Sequence, residues 1–228
     1  MHADTARERW RQLAILAGAM VLAMSTWFST AAVLPELRER WDLSQVGASW
    51  LTISVQLGFV AGAVVSALLN LADRVPPRRL ILWASLGAAA ANLATAAADG
   101  LLLALPARFL VGAFLAGVYP PALKAMSTWF ARGRGVALGA MVGALTLGSA
   151  LPHLVNGLGG LDWRAVLATT SVATVAGGLI AELVARDGPR VFPSAPFEPR
   201  QIRAVLQDRD IQLATLGYFG HMWELYAM

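Results

Sequence analysis

Five stretches of this chain run for 17 residues or more without a single Asp, Glu, Lys or Arg: residues 13–35, 43–72, 80–98, 135–161 and 165–181. About 18 apolar residues suffice for a helix to cross a bilayer. Two more stretches, 100–123 and 211–228, are apolar apart from a few residues, among them Arg108 and Glu224. Lipid offers no hydrogen-bond partner to backbone N–H and C=O groups, so each crossing segment must satisfy its own. The pattern therefore predicts an all-α, polytopic membrane helix bundle. A transmembrane barrel would read as short alternating strands, which the sequence lacks.

The chain has 228 residues, 57% of them hydrophobic and 14% charged. The net charge of +4 does not point to nucleic acid, because the basic residues sit in short loops between apolar spans and form no patch. Cysteine is absent, which removes disulfide frameworks and thiolate metal sites. No metal or cofactor motif is present, nor a Gly-x-Ser-x-Gly, His-Glu-x-x-His or phosphate-loop sequence, so an enzyme is not expected. The first apolar run is too long for a signal-peptide core and ends in Val33-Leu34-Pro35-Glu36, so it reads as a retained helix.

Helices are expected at about 13–34, 46–71, 80–98, 101–123, 135–158 and 165–185. Of the 18 Lys and Arg residues, 14 fall before helix one or after helices two, four and six. Three (Arg38, Arg40 and Arg164) fall on the opposite side, and Arg108 lies within a helix. Basic loops stay cytoplasmic, which predicts an inner-membrane protein with a cytoplasmic N-terminus. Residues 1–12 form that terminus, 13–185 the six-helix bundle, and 186–210 a charged, proline-bearing cytoplasmic linker. Within the linker, Ile202, Val205 and Leu206 at i, i+3, i+4 suit a short surface helix. Residues 211–228 read as the start of helix seven, with a C-terminal bundle beyond it as the missing partner.

Ionisable residues inside a membrane are costly and point to function. Arg108 lies about 10 Å deep at ~1.5 Å rise per residue, with Gly112, Ala116 and Tyr119 following on its face. His221 and Glu224, at i, i+3, share one side of helix seven; a carboxylate there suits reversible proton uptake. Thr26, Trp27, Gln56 and Asn92, with Tyr119, reach similar depth and are expected either to line a polar cavity or to bond between helices. Ser25, Ser29 and Thr30 belong to the same polar set. His153, after Pro152, reads as structural. Gly112, and Gly135, Gly139 and Gly143 in a small-xxx-small ladder, are expected at close helix contacts.

The loop Leu71-Ala72-Asp73-Arg74-Val75-Pro76-Pro77-Arg78-Arg79 resembles the signature of the major facilitator superfamily, roughly Gly-x-Leu-Ala-Asp-Arg-x-Gly-Arg-Arg. Leu69 and Pro76 replace its two glycines. The run Val33-Leu34-Pro35-Glu36-Leu37, with Leu43-Ser44, Trp50 and Leu57-Gly58, is similar to the family's passage from helix one to two. Arg108-Phe-Leu-Val-Gly112 is similar to its helix-four Arg-x-x-x-Gly motif. In helix five Gly148-Ser-Ala-Leu-Pro152 departs from the antiporter Gly-Pro pair.

The resemblance implies alternating-access transport of a small-molecule substrate across the lipid bilayer, with protons as a coupling partner. It assigns Asp73, Arg74, Arg78 and Arg79 to a conformational latch that pairs across the two halves. Arg108, His221 and Glu224 would serve proton coupling or substrate binding. A drug–proton antiporter, a facilitator or anion carrier, and a membrane-embedded enzyme or assembly factor are the alternatives. A retinal photoreceptor is disfavoured, because the single lysine, Lys124, ends helix four.

Overall fold

The computed structural model describes residues 2–130, 132–159, 161–190 and 207–227. The first expected helix begins earlier than its apolar run and is interrupted. α1 spans His2–Ala23 and passes through a 3-10 turn, Met24–Thr26, into α2, Ser29–Ala32, and α3, Leu34–Arg40. α4, Gln45–Leu68, starts on Ser44, whose hydroxyl accepts from the Gly47 N–H at 3.1 Å, an N-cap that satisfies one orphan donor. It ends where Asn70 takes a left-handed φ of 51°, which asparagine tolerates. The one-turn α5, Leu71–Arg74, follows.

α6 spans Pro77–Ala96, with proline in its first turn, where no N–H is needed. The fourth expected helix is two: α7, Leu101–Leu115, and α8, Tyr119–Ser127. The break precedes Pro120 and Pro121, which have no N–H to continue the ladder. α9, Arg134–Gly159, and α10, Trp163–Leu183, complete the first unit, residues 1–193. Asp162 caps α10, accepting from Arg164 N at 3.3 Å. The second unit contains α11, Arg209–Ala227, capped by Asp208, whose Oδ1 accepts from the N–H groups of Asp210 and Ile211 at 2.9 and 3.2 Å. The expected surface helix around Ile202, Val205 and Leu206 lies outside the described residues.

Four helical stretches among the described residues are long and apolar enough to span a membrane: Gln45–Leu68, Leu101–Ser127, Arg134–Gly157 and Trp163–Leu183. α1 and α6 stand at expected spans but are more polar. α1 carries charged residues in its first three turns and its apolar run is divided by the break after Ala23; α6 carries Arg78, Arg79, Ser85, Asn92 and Thr95. Both pack on α10, with α9 against α1, α7 against α6, and α4 against α7. Large apolar residues such as Leu57, Val60, Leu102, Leu147 and Val172 face outward, the inverse of a water-soluble surface and the expected one for lipid.

α4 and α7 approach closely. A Cβ added at Gly112 would run into the Val55 carbonyl oxygen, and one at Gly58 into that of Phe109. The ladder Gly135–Gly139–Gly143 differs from expectation. A Cβ at any of the three meets nothing within 4 Å among the described residues, because this face of α9 points away from α1, the helix it packs on.

Candidate functional site

The broken first helix makes the site. Where α1 gives way to the 3-10 turn and then to α2, the carbonyls of Thr26 and Trp27 leave the regular i to i−4 ladder and become available to other donors. Arg108, from α7, fills that opening. Its Nη1 donates to Thr26 O, Ser29 Oγ and Asn92 Oδ1, each at 3.1 Å, and its Nη2 donates to Trp27 O at 2.6 Å. The residue is 1% exposed. Its shell among the described residues holds no carboxylate, and its Nε has no hydrogen-bond partner. A buried cation neutralised only by carbonyl and hydroxyl dipoles is costly to hold. The arginine is thus interior, as its small neighbours imply, and does not snorkel to the surface.

Asn92, on α6, is the hub of this network. Its Oδ1 accepts from Ser29 Oγ at 2.7 Å as well as from Arg108. Its Nδ2 donates to Leu167 O, Ser171 Oγ and Thr170 Oγ1 at 2.9, 3.0 and 3.2 Å. Ser25 Oγ and Thr174 Oγ1 lie 3.2 Å apart, and Ser25 donates to Thr170 O at 3.0 Å. One continuous polar seam therefore joins the first helix, α6, α7 and α10.

For Thr26 and Asn92 the geometry gives the interhelical bond, not the cavity wall. Thr26 and Asn92 are wholly buried and spend their polar atoms on neighbouring helices; Thr30 is buried too. Trp27 is half-buried, its ring edge-on to Phe59 at 5.0 Å, and Tyr119 packs against the apolar core. Gln56 lies elsewhere, on a cleft of about 320 Å³ lined also by Leu34, Arg38, Gln45, Ser49 and Thr52. His153 is exposed on α9. His221 and Glu224 lie three residues apart on α11, in the second unit. Among the described residues no three His, Asp or Glu side chains gather as a metal site would require.

The loop after α4 makes ion pairs to α8 and to the end of α10. Asp73 pairs with Lys124 of α8 and not with the neighbouring arginines, and Lys124 Nζ donates to Ala72 O at 2.7 Å. Arg78 reaches the end of α10 instead. Its Nη1 donates to the carbonyls of Glu182 and Ala185, each at 3.2 Å, and its Nη2 meets Asp187 Oδ2 at 3.2 Å. Arg79 lies 3.8 Å from Glu182 Oε1, and Arg74 is exposed. The reason is topological: α8 ends beside α5, whereas the first turn of α6 faces the end of α10. Lys124, Glu182 and Asp187 were not expected as partners. A lone lysine on the same side as the loop is the one signal in the sequence that pointed to Lys124.

The family model described as the Major Facilitator Superfamily matches residues 15–226. The chain belongs to the Major Facilitator Superfamily. Membership makes it an integral membrane protein of a transporter family and not an enzyme. It is 30% identical over 208 residues to the multidrug efflux pump LfrA of Mycolicibacterium smegmatis, covering 87% of this chain and 40% of that protein. It is 26% identical over 182 residues to a probable actinorhodin transporter of Streptomyces coelicolor, covering 75% of this chain and 31% of that protein. The chain thus spans less than half the length of these curated relatives. Its fold is similar to that of a bacterial homolog of the human lysosomal transporter Spinster, solved in an inward-facing, unoccupied conformation. The TM-score is 0.64 at 18% identity, covering 86% of this chain and 47% of that one. Within the superfamily frame, Arg108 belongs to the helix-four Arg-x-x-x-Gly motif, and Asp73, paired with Lys124 of α8, lies in the signature loop.

Proposed function

We propose that this chain is the N-terminal six-helix half, with the start of helix seven, of a proton-coupled transporter that exports small organic molecules by alternating access. The N-terminus faces the cytoplasm of an inner membrane, and the partner bundle is the C-terminal half of the same protein. The two relatives, a multidrug efflux pump and a probable actinorhodin transporter, support an organic substrate and the direction of export. The charge distribution supports the orientation.

The observation that carries the reading is Arg108, buried with no carboxylate partner among the described residues, in a seam that ties the first helix to α6, α7 and α10. Such a cation sets a fixed field in the interior, which favours deprotonation of any carboxyl group facing the same space. Glu224, with His221 one turn before it, is the proton carrier in this reading. Asp73 and Lys124, with Arg78 and Arg79 on the α10 end, form the latch whose rearrangement accompanies rocking of the two halves.

The test uses the full-length transporter in inverted vesicles, with uptake of a lipophilic aromatic dye as the readout. An acid-inside gradient should drive uptake in wild type. Glu224→Gln should lose that driven uptake and keep dye exchange at zero gradient. Gradient-driven uptake by Glu224→Gln at the wild-type level removes Glu224 from the mechanism. Gradient-independent uptake by wild type removes proton coupling.

A further inference from the structure

The N-terminal part of α1, the loop between α8 and α9, and the segment after α10 meet around a second cleft, which the transport reading does not use. It encloses about 210 Å³ and is lined by Arg9, Trp129, Arg132 and Arg190. Three cations from distant parts of the chain line it, and among the described residues no carboxylate does. Like charges repel, so an anion seated among them would relieve that repulsion.

Contacts that involve no acid hold two of the three in place. The Arg9 guanidinium carbon lies 5.6 Å from the Trp10 ring centroid and 5.5 Å from that of Phe130, and these rings meet edge-on at 5.4 Å. Arg190 donates to Trp129 O at 3.4 Å. The Nε of Arg9 is buried and has no hydrogen-bond partner among the described residues. The nearby acids are engaged elsewhere: Glu8 by Gln12 at 2.8 Å and Arg11 at 3.4 Å, and Asp187 by Arg78.

The chain around the cleft is also stapled. Arg186 N donates to Gln12 Oε1 at 2.9 Å, Trp129 Nε1 donates to Arg186 O at 3.0 Å, and Gly188 N donates to Thr128 Oγ1 at 2.9 Å. The site is therefore formed before any ligand arrives.

We propose that this cleft binds a phosphate oxyanion, supplied by the headgroup of an anionic lipid or by free phosphate. Guanidinium forks match phosphate oxygens in geometry and charge. A water occupies about 30 Å³, so the cleft has room for a phosphate and its ester oxygens. Trp129 at the rim suits the headgroup level of a membrane. Because Arg190 belongs to the segment after α10, an anion bound here fastens that segment to the bundle.

The experiment measures the thermal unfolding midpoint of the full-length protein in neutral detergent at constant ionic strength. It compares added phosphatidylglycerol, phosphatidylcholine and inorganic phosphate, and it requires no transport, so its failure is separate from failure of the transport reading. Phosphatidylglycerol should raise the midpoint saturably and phosphatidylcholine should not. A rise with inorganic phosphate as well identifies the oxyanion itself as sufficient, whereas a rise with phosphatidylglycerol alone identifies the lipid as the source. Each of Arg9→Gln, Arg132→Gln and Arg190→Gln should weaken the response about tenfold, and Arg7→Gln should not. If Arg9→Gln fails to fold, Arg190→Gln, at an exposed position, carries the same test. No rise with either anion, or an equal rise in wild type and in Arg190→Gln, overturns the proposal.

Discussion

Arg108 Nη1 and Asn92 Oδ1 meet at 3.1 Å, joining α7 to α6 with both side chains buried. Asn92 faces two ways, accepting from the guanidinium on one side and donating to α10 on the other. Removing it strands buried donors and acceptors together. Asn92→Ala should therefore destabilise the protein by about 1–3 kcal/mol. Ser49→Ala, at an exposed hydroxyl of α4, should stay within about 0.5 kcal/mol. Thermal unfolding in detergent compares the two, and an Asn92→Ala midpoint equal to wild type would mean that the seam is not load-sharing.

The two glycine sets predict opposite outcomes. Gly112→Ala drives a methyl group into the α4 backbone at Val55 and should cost about 1–3 kcal/mol. Gly139→Ala projects into open space and gains helix propensity, so it should be neutral or slightly stabilising. Unfolding midpoints ranked the other way would refute the α4–α7 contact as drawn.

A double-mutant cycle tests the partner of Asp73. Asp73→Asn and Lys124→Gln should be non-additive by about 1 kcal/mol, the range for a partly exposed pair. Asp73→Asn with Arg78→Gln should be additive, since Arg78 is committed to α10 and Asp187. The coupling should shrink at high salt. Coupling to Arg78 in place of Lys124 would refute the pairing of Asp73 with α8.

Glu36, outside the membrane spans, yields a pH prediction. Partial burial, and then the hydrogen bond and negative charge of Asp162, raise its carboxyl above the ordinary carboxylate value. The folded state therefore holds this proton more tightly than the unfolded state. Stability from this group is present at acid pH and is lost as pH rises from the ordinary glutamate range through the raised value. Glu36→Gln keeps a donor toward Asp162 without the charge. It should unfold at a higher temperature than wild type at neutral pH, and the gap should close in acid. A gap that widens in acid would reverse the assignment.

The membrane helices, their side-to-side charge bias and the interior position of Arg108 were legible in the sequence, because lipid imposes length and apolarity on each span separately. The family was legible from the loop at Asp73 and the Arg108-to-Gly112 motif, both contiguous in the chain. α11, with His221 and Glu224 on one side, follows from local spacing alone.

Which polar groups meet was not legible, because that depends on helices far apart in sequence. The sequence offered Asn92 and Thr26 as cavity walls or, more readily, as interhelical bonds; only the packing of α6 and α10 around the broken first helix made them buried partners of Arg108 and of α10. Gly135, Gly139 and Gly143 of α9 had the spacing of a packing ladder, yet the close backbone contacts went to Gly148 farther along that helix and to Gly58 and Gly112, since orientation about the helix axis is set by neighbours and not by spacing. Asp73 lies five residues from Arg78 but pairs with Lys124, 51 residues away. A chain folded into parallel rods brings distant helix ends together more readily than adjacent residues that the backbone directs toward different helices.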